Sequence, residues 1–519
     1  MPETWRLERN CNHLKMGIII RQSIKGTIVN YIGVVVGFFT TFFVATRFLT
    51  AEEIGLTRVL LDAAMLFSSL AQLGTGTSIV RFYPYFKDDK HNDHGFFFWS
   101  VMVPLLGFIV FSCLFWALRD MMAEAFSEKS DMFVTYYKCI FPLAFSLLYM
   151  SVSEANANVL MRIVVPKFVR EVGVRVLTLL VYFLYAFSIL DLDGFVYAFC
   201  GVYAVALVVD VFYLFSLQHI SFKPDFKFIT PQLRRDYLLY TLFLITSVLS
   251  SVLAPFANSF FISAKMGLAY TGIFAIASYI TALIEIPYRS LGAIAQPQLS
   301  RAIKENAIDD VNHLIRRVSF HQLLAGAFMF LLIWMNLDLL FMIIPNGEQY
   351  ASAKWVVFLL SLSKLYNSIC SIGLSVLNYS RFYYYSLIFS ALFTLLSIVL
   401  NNCLIPLWGM EGAALATLLA SAIYYSLLLL LNYIKLKTSP LSLRQLAVVG
   451  LFLFFGVCDV LWKKFVVAYL PEGLMYALCS AVVQTLLFAL LAIVAIYRFR
   501  ISSDVNSLIY SVLKRQSVN

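Results

Sequence analysis

Stretches such as YIGVVVGFFTTFFVATRFL, residues 31–49, continue for about 20 residues with a single charge, the length needed to cross a bilayer's hydrocarbon core. Fourteen apolar runs recur between polar breaks, at 27–49, 56–79, 96–118, 134–160, 172–190, 194–217, 238–263, 267–292, 317–343, 353–377, 383–405, 411–434, 445–468 and 475–497. No water is available inside a bilayer, so a spanning segment has to satisfy its own backbone groups. Long continuous runs do this as helices; barrels use short alternating strands. The expectation is an all-α polytopic membrane protein with about fourteen transmembrane helices. With 61% hydrophobic and only 13% charged residues, the chain is far from the composition of a soluble domain.

The basic residues give the expected orientation. If the N-terminus is cytoplasmic, most of the 39 Lys and Arg fall in inner loops and tails. Arg162, Lys167, Arg170 and Arg175 crowd one inner loop, and the next outer loop holds Asp191 and Asp193 with no cation. Both termini are expected to be cytoplasmic. The net charge of +10 then reflects attraction to the anionic lipids of the inner leaflet, and no nucleic-acid partner is implied.

Residues 1–24 form a cytoplasmic segment in which Arg6, Arg9, Lys15 and Arg21 surround the patch MGIII, too short for a cleavable signal. The first span is expected to direct membrane insertion. Residues 498–519 place Val505, Leu508, Ile509, Val512 and Leu513 at helical spacing, which predicts an amphipathic tail on the membrane surface. The eight cysteines are scattered without a C-x-x-C pair, so neither disulfides nor a thiolate metal site is expected. KDDKHNDHG puts His91 and His94 three apart in what reads as a solvated loop, and no metal or cofactor is assigned.

One hexamer occurs nearly twice: SLLYMS at 146–151 and SKLYNS at 363–368, 217 residues apart. The same shift carries Gly55 onto Gly272, and Val159 and Leu160 onto Val376 and Leu377. A constant register across several spans indicates internal duplication. The predicted organisation is an N-lobe of six helices (25–218), a cytoplasmic linker (219–237), a C-lobe of six helices (238–434) and a further helix pair (435–497). An even number of spans gives both lobes one orientation. Lobes so related have a pseudo-two-fold along the membrane normal, with the expected substrate path at their interface.

RFLTAEEIGLTRVL from Arg47 and AQLGTGTSIVRFYPYF from Ala71 resemble the opening of Wzx-type polysaccharide flippases, within the multidrug/oligosaccharidyl-lipid/polysaccharide exporter superfamily. AKMGLAYTGIFAIASYI from Ala264 resembles that family's seventh and eighth helices, and IPLWGMEGAALATLLAS from Ile405 the Gly-rich entry to its twelfth. The resemblance covers roughly 25–497. It departs at Asn258, where members often carry an acid, and at Thr50, where Gly or Ser is common. It implies a bacterial inner-membrane flippase, not an enzyme, whose partners are a polyprenyl-diphosphate-linked glycan and other polysaccharide assembly proteins.

A diphosphate cannot cross hydrocarbon unaided, so cations within spans are the candidate substrate-binding groups. Lys364 lies about nine residues into its span, roughly 14 Å deep, where it either lines a wet path or pairs with an acid. Arg58 lies one turn from Asp62, which is placed either to pair with it or to set its charge. Lys25 begins the first span at the headgroup layer. Glu154 and Glu285 are candidates for coupling to a proton or sodium ion, or for pairing with nearby cations such as Arg289. Pro142, Pro255 and Pro287 are expected to kink their helices.

Two other functions compete. A cation-coupled multidrug exporter of the same superfamily needs a drug-sized pocket. A membrane polysaccharide polymerase or ligase needs a long outer loop, and the longest here is roughly 119–135. No G-x-x-x-x-G-K-[ST] loop occurs, so nothing points to ATP as the driving force.

Overall fold

The computed structural model describes residues 28–88, 92–217, 223–226, 228–469, 471, 473–498, 504 and 506. Among these every regular element is helical. Nine helices are long and apolar enough to cross a membrane, ten if the bent pair Leu268–Ala282 and Glu285–Gly292 counts as one span. The expected spans at 134–160, 172–190 and 238–263 coincide with helices that do not meet this measure. Those at 383–405 and 411–434 fall in one helical stretch, Tyr384–Leu436, broken at Gly409 by a φ of 56°.

Chain packing divides the protein into two compact units, Met1–Ala275 and Ile276–Asn519. The first contains α1 (Ile28–Phe48), α2 (Ala51–Ala71), α3 (Thr75–Phe86), α4 (Phe96–Ala117), α5 (Ile140–Val159), α6 (Val174–Ala186), α7 (Leu192–Leu217), α8 (Pro231–Lys265) and the start of α9 (Leu268–Ala282). The centre of this unit is α2, which packs against α4, α5 and α8. It begins with a capping box. The Thr50 hydroxyl accepts from the Glu53 amide at 3.2 Å, and the Glu53 carboxylate accepts from the Thr50 amide at 2.8 Å. Threonine therefore serves at a position where Gly or Ser is common, because its side chain satisfies an orphan donor of the helix start. Tyr185 on α6 adds a hydrogen bond to the other Glu53 oxygen at 2.5 Å.

The unit extends to Ala275, because α8 and the head of α9 close onto α2. Gly55 and Gly272 face each other there. A Cβ on Gly55 would strike the carbonyl of Leu268, and one on Gly272 would strike the carbonyl of Ala51. Ala51 and Leu268 are themselves separated by the repeat spacing of 217 residues. Reciprocal contact of this kind is the signature of a two-fold between like surfaces, here within a single chain.

The span expected at 56–79 is not one straight helix. Leu73 and Gly74 take left-handed backbone (φ 50° and 70°), which separates α2 from α3. In the segment expected to be a solvated loop, His94 makes specific contacts. His94 sits 3.0 Å from Asp225 and its ring stacks on Phe228 with centroids 3.9 Å apart, tying this loop to the chain ahead of α8. His91 lies outside the described residues, and among those described no group of His, Cys, Asp and Glu is arranged for a metal.

In the second unit α10 (Glu285–Lys304) packs on α11 (Ile308–Ile343) and α12 (Lys354–Tyr379), and α12 on α13 (Tyr384–Leu436). The C-terminal pair, α14 (Leu443–Phe465) and α15 (Leu474–Arg498), docks on α11. Phe455, Phe488 and Met335 form the apolar contact. Polar fasteners flank it: Asp338 accepts from Lys354 at 2.5 Å and pairs with Lys463 at 3.4 Å, and Gln484 donates to buried Asp459 at 2.7 Å. Of the three prolines expected to kink helices, Pro255 lies inside α8, but Pro142 and Pro287 occupy first turns of α5 and α10, where a missing N–H costs nothing. The predicted tail residues Val505, Leu508, Ile509, Val512 and Leu513 lie outside the described set; Asp504 beside them forms a two-bond pair with Arg317 at 2.7 and 2.8 Å.

Gly55→Ala and Gly272→Ala are each expected to destabilise the protein by about 1–3 kcal/mol through overpacking. Gly201→Ala, where no atom lies within 4 Å of the place its methyl would take, serves as the control. Thermal unfolding of the purified variants in detergent checks this; equal midpoints for all three would contradict the close approach.

Candidate functional site

Arg58, Asp62, Glu154, Glu285 and Lys364, which the sequence singles out in apolar runs, are all in ion pairs, and each pair has a different character. In the first unit Arg58 donates from Nε to Asp62 at 2.9 Å, one helical turn along α2. The Asp62 side chain is only 2% exposed and also bonds to Ser259 on α8; the arginine remains 24% exposed. Asp62 is therefore the buried member and Arg58 the partly exposed one. The pair as a whole is neutral.

Glu154, near the end of α5, accepts from Arg170 at 2.7 Å. Arg170 belongs to a π-helical turn, Val169–Gly173, that precedes α6. Such turns displace a side chain from the regular helical position, and here the displaced turn presents an arginine to the neighbouring helix. Asp210 on α7 lies within electrostatic reach of both groups and is buried. Sequence reasoning does not single it out, since a lone Asp late in an apolar run reads as a boundary residue.

In the second unit Glu285 opens α10 at a 47° bend between Ala282 and its own helix. The bend brings its carboxylate to two cations. One oxygen accepts from Lys364 on α12 and the other from Arg289, one turn further along α10. The Glu285 side chain is 10% exposed, Lys364 29% and Arg289 71%. Two cations on one carboxylate leave one net positive charge, and the arginine holds most of the exposed surface. Tyr288 bonds to Arg289, Gln322 donates to the Tyr288 carbonyl at 3.0 Å, and Tyr425 on α13 lies within electrostatic reach of Glu285.

Sequence reasoning thus identifies Lys364 and Glu285 separately, 79 residues apart, and the fold joins them. Arg289 enters only as a neighbour of Glu285, although its exposure makes it the more accessible cation. A signal is present: in IEIPYRSLGAIA Arg289 and Glu285, one turn apart, are the two charges. Lys25 lies outside the described residues.

Charged pairs within apolar runs and helical stretches broken along their length, as at Gly409 and between Ala282 and Glu285, are features that transporters share. Solved structures agree on the fold. A lipid II flippase, MurJ, in an inward closed conformation matches with TM-score 0.70 at 13% identity, covering 92% of this chain and 100% of its own. An inward-facing multidrug resistance MATE transporter of the MOP superfamily matches with TM-score 0.61 at 15% identity, covering 81% of this chain and 98% of its own. A MOP-superfamily transporter from Pyrococcus furiosus matches with TM-score 0.54 at 14% identity, over 81% and 95%. The fold is that of membrane flippases and exporters, not of an enzyme. No curated protein sequence matches the chain. The family model described as polysaccharide biosynthesis protein matches residues 23–302, and the chain belongs to that family.

Because Asp62 is the buried partner, Arg58→Ala leaves a carboxylate stranded, at a cost of about 3–5 kcal/mol. Lower abundance of Arg58→Ala in membranes is expected, with recovery in Arg58→Ala/Asp62→Asn. A single variant as abundant as the wild type would show that the pair has no structural weight.

Proposed function

We propose that the protein flips a polyprenyl-diphosphate-linked oligosaccharide, an O-antigen, capsule or exopolysaccharide repeat unit, from the inner to the outer leaflet of a bacterial inner membrane. The mechanism is alternating access of two six-helix lobes, 25–218 and 238–434, and no bond is made or broken. The observation that carries this reading is the net positive group of Lys364, Glu285 and Arg289 in a chain of the polysaccharide biosynthesis family. An uncompensated cation within a span is costly, and an anionic ligand is the partner that offsets the cost. Here the structural pairing reduces two cations to one and leaves that one on an exposed arginine. A diphosphate offers the oxygens that guanidinium and ammonium groups bind best. The prenyl chain has no need of a polar path and stays in lipid.

In the same scheme Arg58 supports a second polar contact, with Asp62 holding its charge in place, and Lys25 receives the arriving headgroup at the inner surface. Both termini are cytoplasmic, and the flipped product passes to other polysaccharide assembly proteins. A multidrug exporter shares the fold but would use such a group differently, since a cationic drug is repelled by a net positive site.

Arg289→Gln and Lys364→Gln each cancel the net charge and leave Glu285 with one cation, so neither strands a carboxylate. Losing one charge-assisted hydrogen bond of about 1.5–3 kcal/mol lowers ligand affinity roughly ten- to a hundredfold. Surface glycan display is expected to fall in both variants at normal protein abundance. Unchanged display in both, with altered resistance to cationic dyes, would instead favour the exporter.

A further inference from the structure

The eight cysteines are scattered along the sequence, and the fold brings two of them together. Cys139 closes the short helical turn Tyr137–Cys139 just before α5, and Cys200 lies on α7. The Cys200 Sγ is 4.0 Å from the Cys139 carbonyl oxygen, and the two thiols are hydrogen-bonding neighbours. Both residues are buried, at 6% and 8% exposure. Contacts around the pair hold the backbone in place. Three residues before Cys139, the Tyr136 hydroxyl donates to Asp193 at 2.5 Å, and its ring meets that of Tyr197 with centroids 6.4 Å apart. Asp193, Tyr197 and Cys200 follow one another on α7 at spacings of four and three residues, which puts them on one face. The Tyr137 hydroxyl ties the same turn to α4 through the Phe115 carbonyl at 2.8 Å, and α5 then packs along α7.

A lone buried cysteine serves as a small apolar side chain. Two thiols in contact across packed helices can also be oxidised, and the compartment decides whether they are. With cytoplasmic termini, as in the proposed function, α5 and α7 both begin at the outer face. Cys200 is then roughly 12 Å from the outer end of α7, counted at 1.5 Å per residue, and Cys139 is closer still to the surface. That side of a bacterial inner membrane is the oxidising one.

We propose that Cys139 and Cys200 form a disulfide that ties α7 to the head of α5. The oxidant is an external disulfide, of a small molecule or a protein, which acts before α7 closes on α5 because the folded chain buries both cysteines. One cysteine thiolate attacks that disulfide and expels one of its sulfurs as a thiolate. The second cysteine attacks the mixed disulfide and expels the other. The cysteines give up two protons and two electrons, and the oxidant becomes two thiols. The bond closes a loop that holds all of α5 and α6, which restricts the unfolded chain and stabilises the first unit. The pairing depends only on that unit; its oxidation rests on the orientation in the flippase reading.

The test uses the full-length protein in cells. Cells are denatured directly in acid, thiols are alkylated with a maleimide, and the protein is weighed with and without prior reduction. The wild type is expected to alkylate at all but two of its eight cysteines, with the last two reacting only after reduction. Cys139→Ser and Cys200→Ser each remove this difference, and Cys458→Ser keeps it. A linked peptide carrying both residues identifies the bond. Full alkylation of the unreduced wild type, or a difference that survives in both Ser variants, overturns the proposal. Orientation is read separately from Ser188→Cys, an exposed position between α6 and α7, with a membrane-impermeant maleimide on intact cells. Labelling without a bond overturns the disulfide and leaves the orientation standing. Neither labelling nor a bond removes the orientation, and the disulfide with it. A bond without labelling supports the pair and overturns the orientation.

Discussion

A charge surrounded by hydrocarbon has to be answered where it sits, because water cannot reach it and the chain cannot bring help from far away. This constraint organises the protein more than any apolar contact does. Leu and Phe side chains gain little by choosing one helix over another when lipid is equally apolar. Ionic partners choose strictly. Asp62 fixes the face of α2 toward α8 through Ser259, Glu285 fixes α10 to α12 through Lys364, and Asp338 with Asp459 fixes the C-terminal pair through Lys354, Lys463 and Gln484.

The pairings differ in the charge that is left over. Arg58 with Asp62 is neutral, and so is the group of Asp338, Asp459, Lys354 and Lys463 that holds α14 and α15. Those groups leave no charge over. The Glu285 group retains one positive charge and the Asp210 group one negative charge when fully ionised. An unbalanced group within a membrane protein is less stable than a balanced one.

Much of this was legible in the sequence. Helices follow from apolar runs of bilayer length, and the pairing of Arg58 with Asp62 and of Glu285 with Arg289 follows from one-turn spacing. LTAEEIG is readable as a helix start because Thr50 and Glu53 stand three apart. Contacts across the chain were hidden. Nothing local to Lys364 indicates Glu285, and Asp210 lies 56 and 40 residues from the groups that act on it. The break at Gly409 falls in the gap read between the spans 383–405 and 411–434, but the one at Leu73 was hidden for a different reason: hydropathy is continuous through it, and a left-handed residue leaves no trace in an apolar average. The Gly55 and Gly272 match appeared as a repeat, but only the fold turns it into mutual contact.

The account depends most on the claim that the Lys364, Glu285 and Arg289 group recognises an anionic lipid head. Its most direct measurement is equilibrium binding of a polyprenyl diphosphate and of the matching uncharged polyprenol to the full-length protein in nanodiscs. The account predicts tighter binding of the diphosphate, and loss of that preference in Arg289→Gln with the affinity for polyprenol unchanged. Equal binding of the two lipids by the wild type would contradict it.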